Sequence, residues 1–226
     1  MPIVILTEGE ADDAFIKKLI EENNLGLENF ILREVRNDGG CTNFGKRIRS
    51  IRTVSEPMVL RDCGAIVIIA DNDDDPAEQF LVIRNQIEIA NEGAVADDLF
   101  GVPINPLVAA RQSLSLPPLY ILMLPWSNEA GCLETLCLAA MNPDYAPQLA
   151  CVDEIFQCVG ASAWSTTMQS KFRVQCLLSS ICNGDPYTHL KYAWKVDHDK
   201  GRPGNIFLTN NAACQRITDF LRSLIT

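Results

Sequence analysis

Short apolar runs alternate with amphipathic stretches along the first half of the chain. The apolar runs are rich in β-branched residues and predict four strands, at residues 2–7, 30–35, 65–70 and 119–124. Apolar residues at helical spacing, bounded by capping and turn residues, predict helices between them, at 11–22, 43–54 and 76–91. This alternation predicts an α/β, Rossmann-like fold with a mostly parallel sheet and helices on both of its faces.

The second half of the chain has a different, mainly helical pattern. Beyond an irregular stretch at 91–116 and the fourth strand, helices are predicted at 131–141, 152–159, 171–181 and 212–225. We therefore expect an α/β domain at 1–125 and a mainly helical extension at 126–226 that packs on the same core.

Composition narrows the class of protein. The chain has 226 residues, of which 47% are hydrophobic, and this is enough for a sizeable core. No apolar run approaches the roughly 18 residues that cross a bilayer. The first residues, MPIVILTEGEADD, do not have the basic and apolar pattern of a signal peptide. A cytoplasmic protein without a membrane segment is expected.

The cysteine spacing and the net charge argue against a zinc site and against a broad basic face. The nine cysteines form no C-x-x-C pair, and with two histidines they offer no zinc-binding spacing, so reduced and mostly buried cysteines are expected. The net charge of −10 argues against broad nucleic-acid binding through a basic face. A nucleic-acid enzyme with an acidic, metal-neutralised centre is still compatible with this charge.

The segment AIVIIADNDDDP, at 65–76, places four aspartates directly after a buried strand. Residues two apart in an extended segment point the same way, so Asp71 and Asp73 are expected to face one point. Glu8 follows the first strand and reaches the same edge of the sheet if the two strands are neighbours. Ligands of such sheets bind at this edge, and three carboxylates suit Mg²⁺, which prefers oxygen ligands.

Simpler roles explain some of these acids. Asp75 before Pro76 fits a helix N-cap, Asp74 is expected to be solvated, and the acids at 10–13 favour the positive end of a helix dipole. The whole segment could be an acidic loop without metal. An EF-hand is excluded because its sixth and twelfth positions hold Pro76 and Val82. A D-x-D metal motif of the nucleotide-sugar transferase kind stays open.

The stretch GCTNFGKR, at 40–47, nearly matches the P-loop pattern G-x-x-x-x-G-K-[ST]. Arg47 replaces the hydroxyl residue that holds Mg²⁺, so a nucleotide hydrolase is disfavoured. One interpretation is a turn that enters a helix, capped by Thr42 or Asn43, with a solvated basic face. The other is a basic cluster that contacts a phosphate backbone near the acidic centre. This cluster comprises Lys46, Arg47, Arg49 and Arg52.

Two motifs, in their order and strand context, resemble the Toprim domain of topoisomerases, bacterial primases and OLD-type nucleases. TEGEADDAF, at 7–15, is similar to the Toprim glutamate motif, and IVIIADNDDDP, at 66–76, is similar to its D-x-D motif. The stretches GCLETL, at 131–136, and SKFRVQCLLSS, at 170–180, extend the resemblance to a family of small stand-alone prokaryotic Toprim-like proteins of unknown function. Within the superfamily these proteins lie nearest to the OLD-type nucleases.

The resemblance implies a role for each matching residue. Glu8 is implied as a general acid/base or metal ligand, and Asp71 and Asp73 as ligands of Mg²⁺ or Mn²⁺. Glu134 matches a possible further metal ligand, and Lys171 a phosphate-facing lysine; the alternatives are an acid and a lysine that are merely solvated. The resemblance includes neither the tyrosine domain of topoisomerases nor the ATPase domain of full OLD proteins, so strand passage and ATP-driven control of a nuclease are not expected.

The resemblance therefore implies a Mg²⁺-dependent phosphodiester enzyme, nuclease-like and acting on nucleic acid. Two other hypotheses belong to different classes. One is a non-catalytic structural or metal-binding protein, and the other is a nucleotide or nucleotide-sugar enzyme that uses the same D-x-D motif.

Overall fold

The structure is a computed structural model, and it describes residues 1–34, 43–52 and 63–225. Its centre is a sheet of four parallel strands in the order β2-β1-β3-β4. The strands are β1 (Ile3–Thr7), β2 (Phe30–Glu34), β3 (Ala65–Asp71) and β4 (Leu119–Leu124). Each of the four begins within one residue of its predicted start, because a buried parallel strand is a nearly continuous apolar run.

Both faces of the sheet are buried. Alternate residues of β3 point to opposite faces, with Val67 and Ile69 in one apolar cluster and Ile66 and Ile68 in the other. This double burial explains why the strand sequences do not alternate between apolar and polar residues.

Seven α-helices are present in the described part of the chain. They are α1 (Glu10–Glu22), α2 (Phe44–Ser50), α3 (Pro76–Asn91), α4 (Leu133–Ala139), α5 (Ala146–Cys158), α6 (Thr166–Ile181) and α7 (Ala212–Ser223). Residues of α2 and α3 cover one face of the sheet, and residues of α1, α4, α6 and α7 cover the other. The predicted α/β class, a parallel sheet flanked by helices, is confirmed.

Helix boundaries follow local caps. The Asp75 side chain accepts from the N–H groups of Ala77 and Glu78, so the predicted cap of α3 is confirmed. Asn43 caps α2 by accepting from the N–H of Lys46 at 2.9 Å. The other proposed cap, Thr42, and the predicted turn at 37–40 lie outside the described residues. The predicted continuation of this helix to residue 54 lies only partly within them.

Two helices begin earlier than predicted. α5 starts six residues before the predicted 152, and α6 starts five residues before the predicted 171. Ser165 caps α6 by accepting from the N–H of Met168 at 3.4 Å. The helical part after residue 126 packs on the same apolar cluster as β1, β3 and β4. A domain division at residue 125 stays a prediction.

The helices were also compared with the requirements of a membrane span. No helix within the described residues is long and apolar enough to cross a bilayer.

Candidate functional site

The carboxyl ends of the two central strands form one side of the site. β1 pairs directly with β3, so Glu8 and Asp71 follow neighbouring strands at the same edge of the sheet. Glu8 Oε1 accepts from the main-chain N–H of Asp71 at 3.4 Å. The prediction that Glu8 reaches the region of Asp71 required β1 and β3 to be neighbours, and the structure places them side by side.

The start of α4 forms the opposite side. Asp71 Oδ1 accepts from the N–H of Leu133 at 2.9 Å, and this bond holds the beginning of α4 against the end of β3. One possible ligand atom from each of Asp71, Cys132 and Glu134 lies within 4.8 Å of the other two. Glu134, which was predicted as a further ligand, therefore lies beside Asp71.

Asp12 is a member of this acidic group that sequence reasoning assigned only to the helix dipole. It lies in the first turn of α1, is only 9% exposed, and accepts from the N–H of Gly9 at 3.0 Å. The signal that could have found it is its position four residues after Glu8, across a tight turn into a helix.

Burial and mutual repulsion raise the pKa values of these carboxyls. Burial, and then the charge of Asp12, raise the pKa of Glu8 to about 7. Burial also raises the pKa of Asp12 to about 7, with a contribution from Glu134. Burial, and then the charges of Glu8 and Asp12, raise the pKa of Asp71 well above its ordinary value. Near neutral pH the group must therefore hold protons or bind a cation.

Lys171 supplies positive charge from α6. Its side chain is exposed at the rim of the acidic group. Partial burial works to lower the pKa of Lys171, but the negative charge of Glu134, with Asp71 and Asp73, outweighs it and raises the pKa. The predicted phosphate-facing lysine therefore lies within electrostatic range of the acidic group.

Asp73 reaches this region by an unexpected backbone conformation. Its φ is +47°, in the left-handed region, so the prediction that 71–73 is an extended segment is wrong at this residue. In this conformation the Asp73 carbonyl accepts from the N–H of Gly131 at 2.6 Å, a residue that lies beyond β4 in the sequence. The carboxylate of Asp73 still raises the pKa of Glu8, although Asp73 is not among the three residues with ligand atoms within 4.8 Å.

The remaining aspartate of the segment has a structural role. Asp74 was expected to be only solvated, but its Oδ1 accepts from the N–H of Thr167 at 3.1 Å, in the first turn of α6. Hydrogen bonds from Ser165 and Thr167 lower the pKa of Asp74. This contact joins the acidic segment to the helix that carries Lys171.

Cys132 is the residue of the site that sequence reasoning did not propose as a ligand. Burial, and then the charges of Glu134 and Asp71, raise the pKa of its thiol to about 12, so the thiol stays protonated. The other possible ligand atoms of the group are carboxylate oxygens, which suit Mg²⁺ or Mn²⁺. The only sequence signal was its place in GCLETL, next to Glu134.

The basic cluster of α2 is arranged differently from the acidic group. Arg49 donates to the carbonyl of Ile89 at 2.6 Å, and Arg52 donates to the carbonyl of Asp98 at 3.4 Å. Phe44 and Ile48 place α2 on the sheet face opposite to α4 and α6. Contact of this cluster with a phosphate backbone stays a prediction, and the first residues of the P-loop-like stretch, 40–42, lie outside the described residues.

Comparison with protein families places the whole chain. The model of the family described as "Protein of unknown function (DUF3226)" matches residues 2–226. The chain belongs to the DUF3226 family. This agrees with the expectation of a family without an assigned function, and the Toprim relation stays a prediction.

A solved structure and the curated proteins complete the comparison of this DUF3226 member. It is similar to the C-terminal region of the OLD protein of Xanthomonas campestris pv. campestris, with a TM-score of 0.43 and 16% sequence identity. The similarity covers 99% of this chain and 95% of the other. The comparison with curated proteins found no match.

Proposed function

We propose that this DUF3226 protein is a Toprim-like, divalent-metal-dependent phosphodiester enzyme of the nuclease class. One observation carries the proposal: carboxyls from two neighbouring strand ends and a helix start meet at the carboxyl edge of a parallel sheet. They come from Glu8, Asp71 and Glu134, with Asp12 behind them and Lys171 at the rim. Such an edge is where α/β sheets bind ligands.

The donor set fits a hard divalent cation. Glu8, Asp71, Asp73 and Glu134 would hold Mg²⁺ or Mn²⁺ through carboxylate oxygens. The raised pKa values of Glu8 and Asp71 support this assignment, since each negative charge lacks sufficient compensation from the protein. A bound ion of this kind lowers the pKa of a water molecule and stabilises phosphate charge.

The other roles fall to side chains. If Glu8 is not a ligand of the ion, its side chain can serve as a general acid/base near neutral pH, because burial raises its pKa to about 7 in the metal-free protein. Lys171 remains protonated and would offset the negative charge that develops on a phosphate oxygen. An exposed position suits this lysine, because a polymeric substrate must approach from solvent.

Cleavage assays test the proposal. The purified protein should cut single- or double-stranded DNA or RNA with Mn²⁺ or Mg²⁺ and should be inactive with chelator. Asp71→Asn should abolish cutting, and Glu8→Gln should lower kcat by about 100-fold or more. Glu88→Gln is the control, because Glu88 lies on α3 and its ion pair with Arg84 is at the surface. That variant should cut at the wild-type rate.

Other outcomes favour the alternatives. Metal binding without cleavage of any tested polymer would support a structural or metal-binding protein. Metal-dependent binding of a nucleoside diphosphate, lost in Asp71→Asn, would instead support a nucleotide or nucleotide-sugar enzyme. Cleavage that survives Asp71→Asn would come from a contaminant or another site, and would contradict the proposal.

A further inference from the structure

Asn72 lies between the two aspartates of the D-x-D motif and is completely buried. Its Nδ2 donates to two main-chain carbonyls, Trp126 at 2.7 Å and Glu129 at 2.9 Å. Both belong to residues 125–132, the segment between β4 and α4, which we call the site loop. A single amide group therefore holds two points of this loop.

The neighbours of Asn72 hold the end of the same loop. The carbonyl of Asp73 accepts from Gly131 at 2.6 Å, and Asp71 Oδ1 accepts from Leu133 at 2.9 Å. Three consecutive residues at the end of β3 thus make four hydrogen bonds to residues 126–133. The site loop leads directly to Cys132 and Glu134, the two residues whose ligand atoms lie near Asp71.

The orientation of the Asn72 amide is determined by its partners. Exchanging its nitrogen and oxygen would place the oxygen against two carbonyl oxygens, so the two contacts require the donor there. The Oδ1 atom is buried and has no hydrogen-bond partner among the described residues. An unpaired buried acceptor lowers the stability of the folded protein. Asn72 therefore offers its two donors to the loop although its oxygen is unsatisfied.

We propose that Asn72 is a positioning residue of the metal centre. It fixes the site loop so that the Leu133 N–H and the Glu134 carboxylate remain beside Asp71. Its donors make hydrogen bonds to main-chain atoms and not to a ligand, so it acts through the residues that would hold the ion. This inference rests on the proposed function, because it assumes that the acidic group binds a divalent cation.

The site loop is also held from the outside. Arg216 of α7 pairs with Glu129 at 2.8 Å, and its guanidinium lies 5.0 Å from the centre of the Trp126 ring. Both members of the ion pair are half exposed, so this outer contact is the weaker restraint. The buried amide of Asn72 is therefore a stronger restraint on the loop than this ion pair.

The experiment compares two asparagines whose side chains each hold a loop. Asn72→Ala removes both donors from the site loop. Asn91→Ala is the matched control, because Asn91 on α3 also bridges a loop, donating to the carbonyl of Phe100 and accepting from its N–H.

Mn²⁺ dissociation constants are measured by calorimetry below the melting temperature of each variant. Asn72→Ala should bind Mn²⁺ about 10- to 100-fold more weakly than wild type. Asn91→Ala should lose stability but keep the wild-type dissociation constant.

The outcomes separate the two proposals. Equal Mn²⁺ affinity in wild type and folded Asn72→Ala would overturn the positioning role and leave the proposed function intact. Absence of Mn²⁺ binding by wild type would overturn the proposed function, and the positioning role with it. If Asn72→Ala does not fold, Asn72→Ser decides, since its hydroxyl can reach at most one of the two carbonyls. Wild-type affinity in Asn72→Ser would then contradict the inference.

Discussion

At the scale of single residues, the acids that are adjacent in the sequence are not the ones that repel each other most closely in space. The aspartates at 71–75 are adjacent in sequence, but Asp74 and Asp75 each bond to a different helix start. The close repulsion is instead between Asp71 and two acids far from it in sequence, Glu8 and Asp12, which also repel each other. A buried acidic group of this kind makes stability depend on pH.

The free energy of unfolding in chelator should fall as the pH rises from about 4.5 to about 7. Glu8 and Asp12 have folded-state pKa values of about 7, above their ordinary values of 4.5 and 3.8. In this window the folded protein retains protons that the unfolded chain releases, so stability is lost with rising pH. Each retained proton contributes a slope of about 1.4 kcal/mol per pH unit. Urea unfolding at several pH values measures this slope.

Asp71→Asn provides the comparison for this pH dependence. Asparagine keeps an oxygen that can accept from Leu133 but removes one negative charge from the group. The variant should show a shallower slope and should be more stable than wild type in chelator at pH 8. Parallel curves for the two proteins would mean that this group does not govern the pH dependence.

At the scale of elements, apolar runs and caps were predictable, whereas features set by distant contacts were not. The bounds of α3 match the prediction because Asp75 and Pro76 mark its start in the sequence itself. The start of α6, with Thr166 and Thr167, has low helix propensity, and its first turn is fixed by Ser165 and by Asp74 from another segment.

The same distinction applies to the candidate site. Glu8 and Asp71 could be placed together because parallel strands end at one edge of the sheet. The left-handed conformation of Asp73 and the approach of Cys132 depend on hydrogen bonds from Gly131 and Leu133, about 60 residues away. Periodicity carries no information on such contacts.

Asp75→Ala tests whether this neighbouring aspartate is only a cap. Loss of its two hydrogen bonds at the start of α3 should lower the free energy of unfolding by about 1 kcal/mol. The Mn²⁺ dissociation constant should stay at the wild-type value, because the side chain is directed to Ala77 and Glu78. Calorimetric titration beside Asp71→Asn makes the comparison. Weakening of Mn²⁺ binding as large as that in Asp71→Asn would make Asp75 a ligand.

At the scale of the whole molecule, one apolar cluster joins the sheet to the C-terminal helices. Ile5, Val67 and Leu124 of the sheet belong to the same buried cluster as Val174 and Ile217 of α6 and α7. One face of the sheet is thus covered largely by residues that follow β4. The sheet therefore depends on the C-terminal part for its burial.

A fragment of residues 1–125 should not fold stably by itself. Without residues 126–226, the apolar residues on that face of the sheet would be exposed to water, at about 25 cal/mol for each Å². We expect the fragment to aggregate or to melt without cooperativity, as measured by circular dichroism and light scattering. The full chain is the control. A cooperative melting transition of the soluble fragment would show instead that 1–125 is an independent domain.

The span of the site along the chain has a consequence for synthesis. The amino end leaves the ribosome first, at about 5–20 residues per second, so Glu8 and Asp71 emerge well before Glu134 and Lys171. The end of β3 gains its bond from Leu133 only after that residue has emerged. A nascent chain therefore carries no complete centre until more than its first 170 residues are free. Any function that needs all four of these residues can therefore begin only late in synthesis.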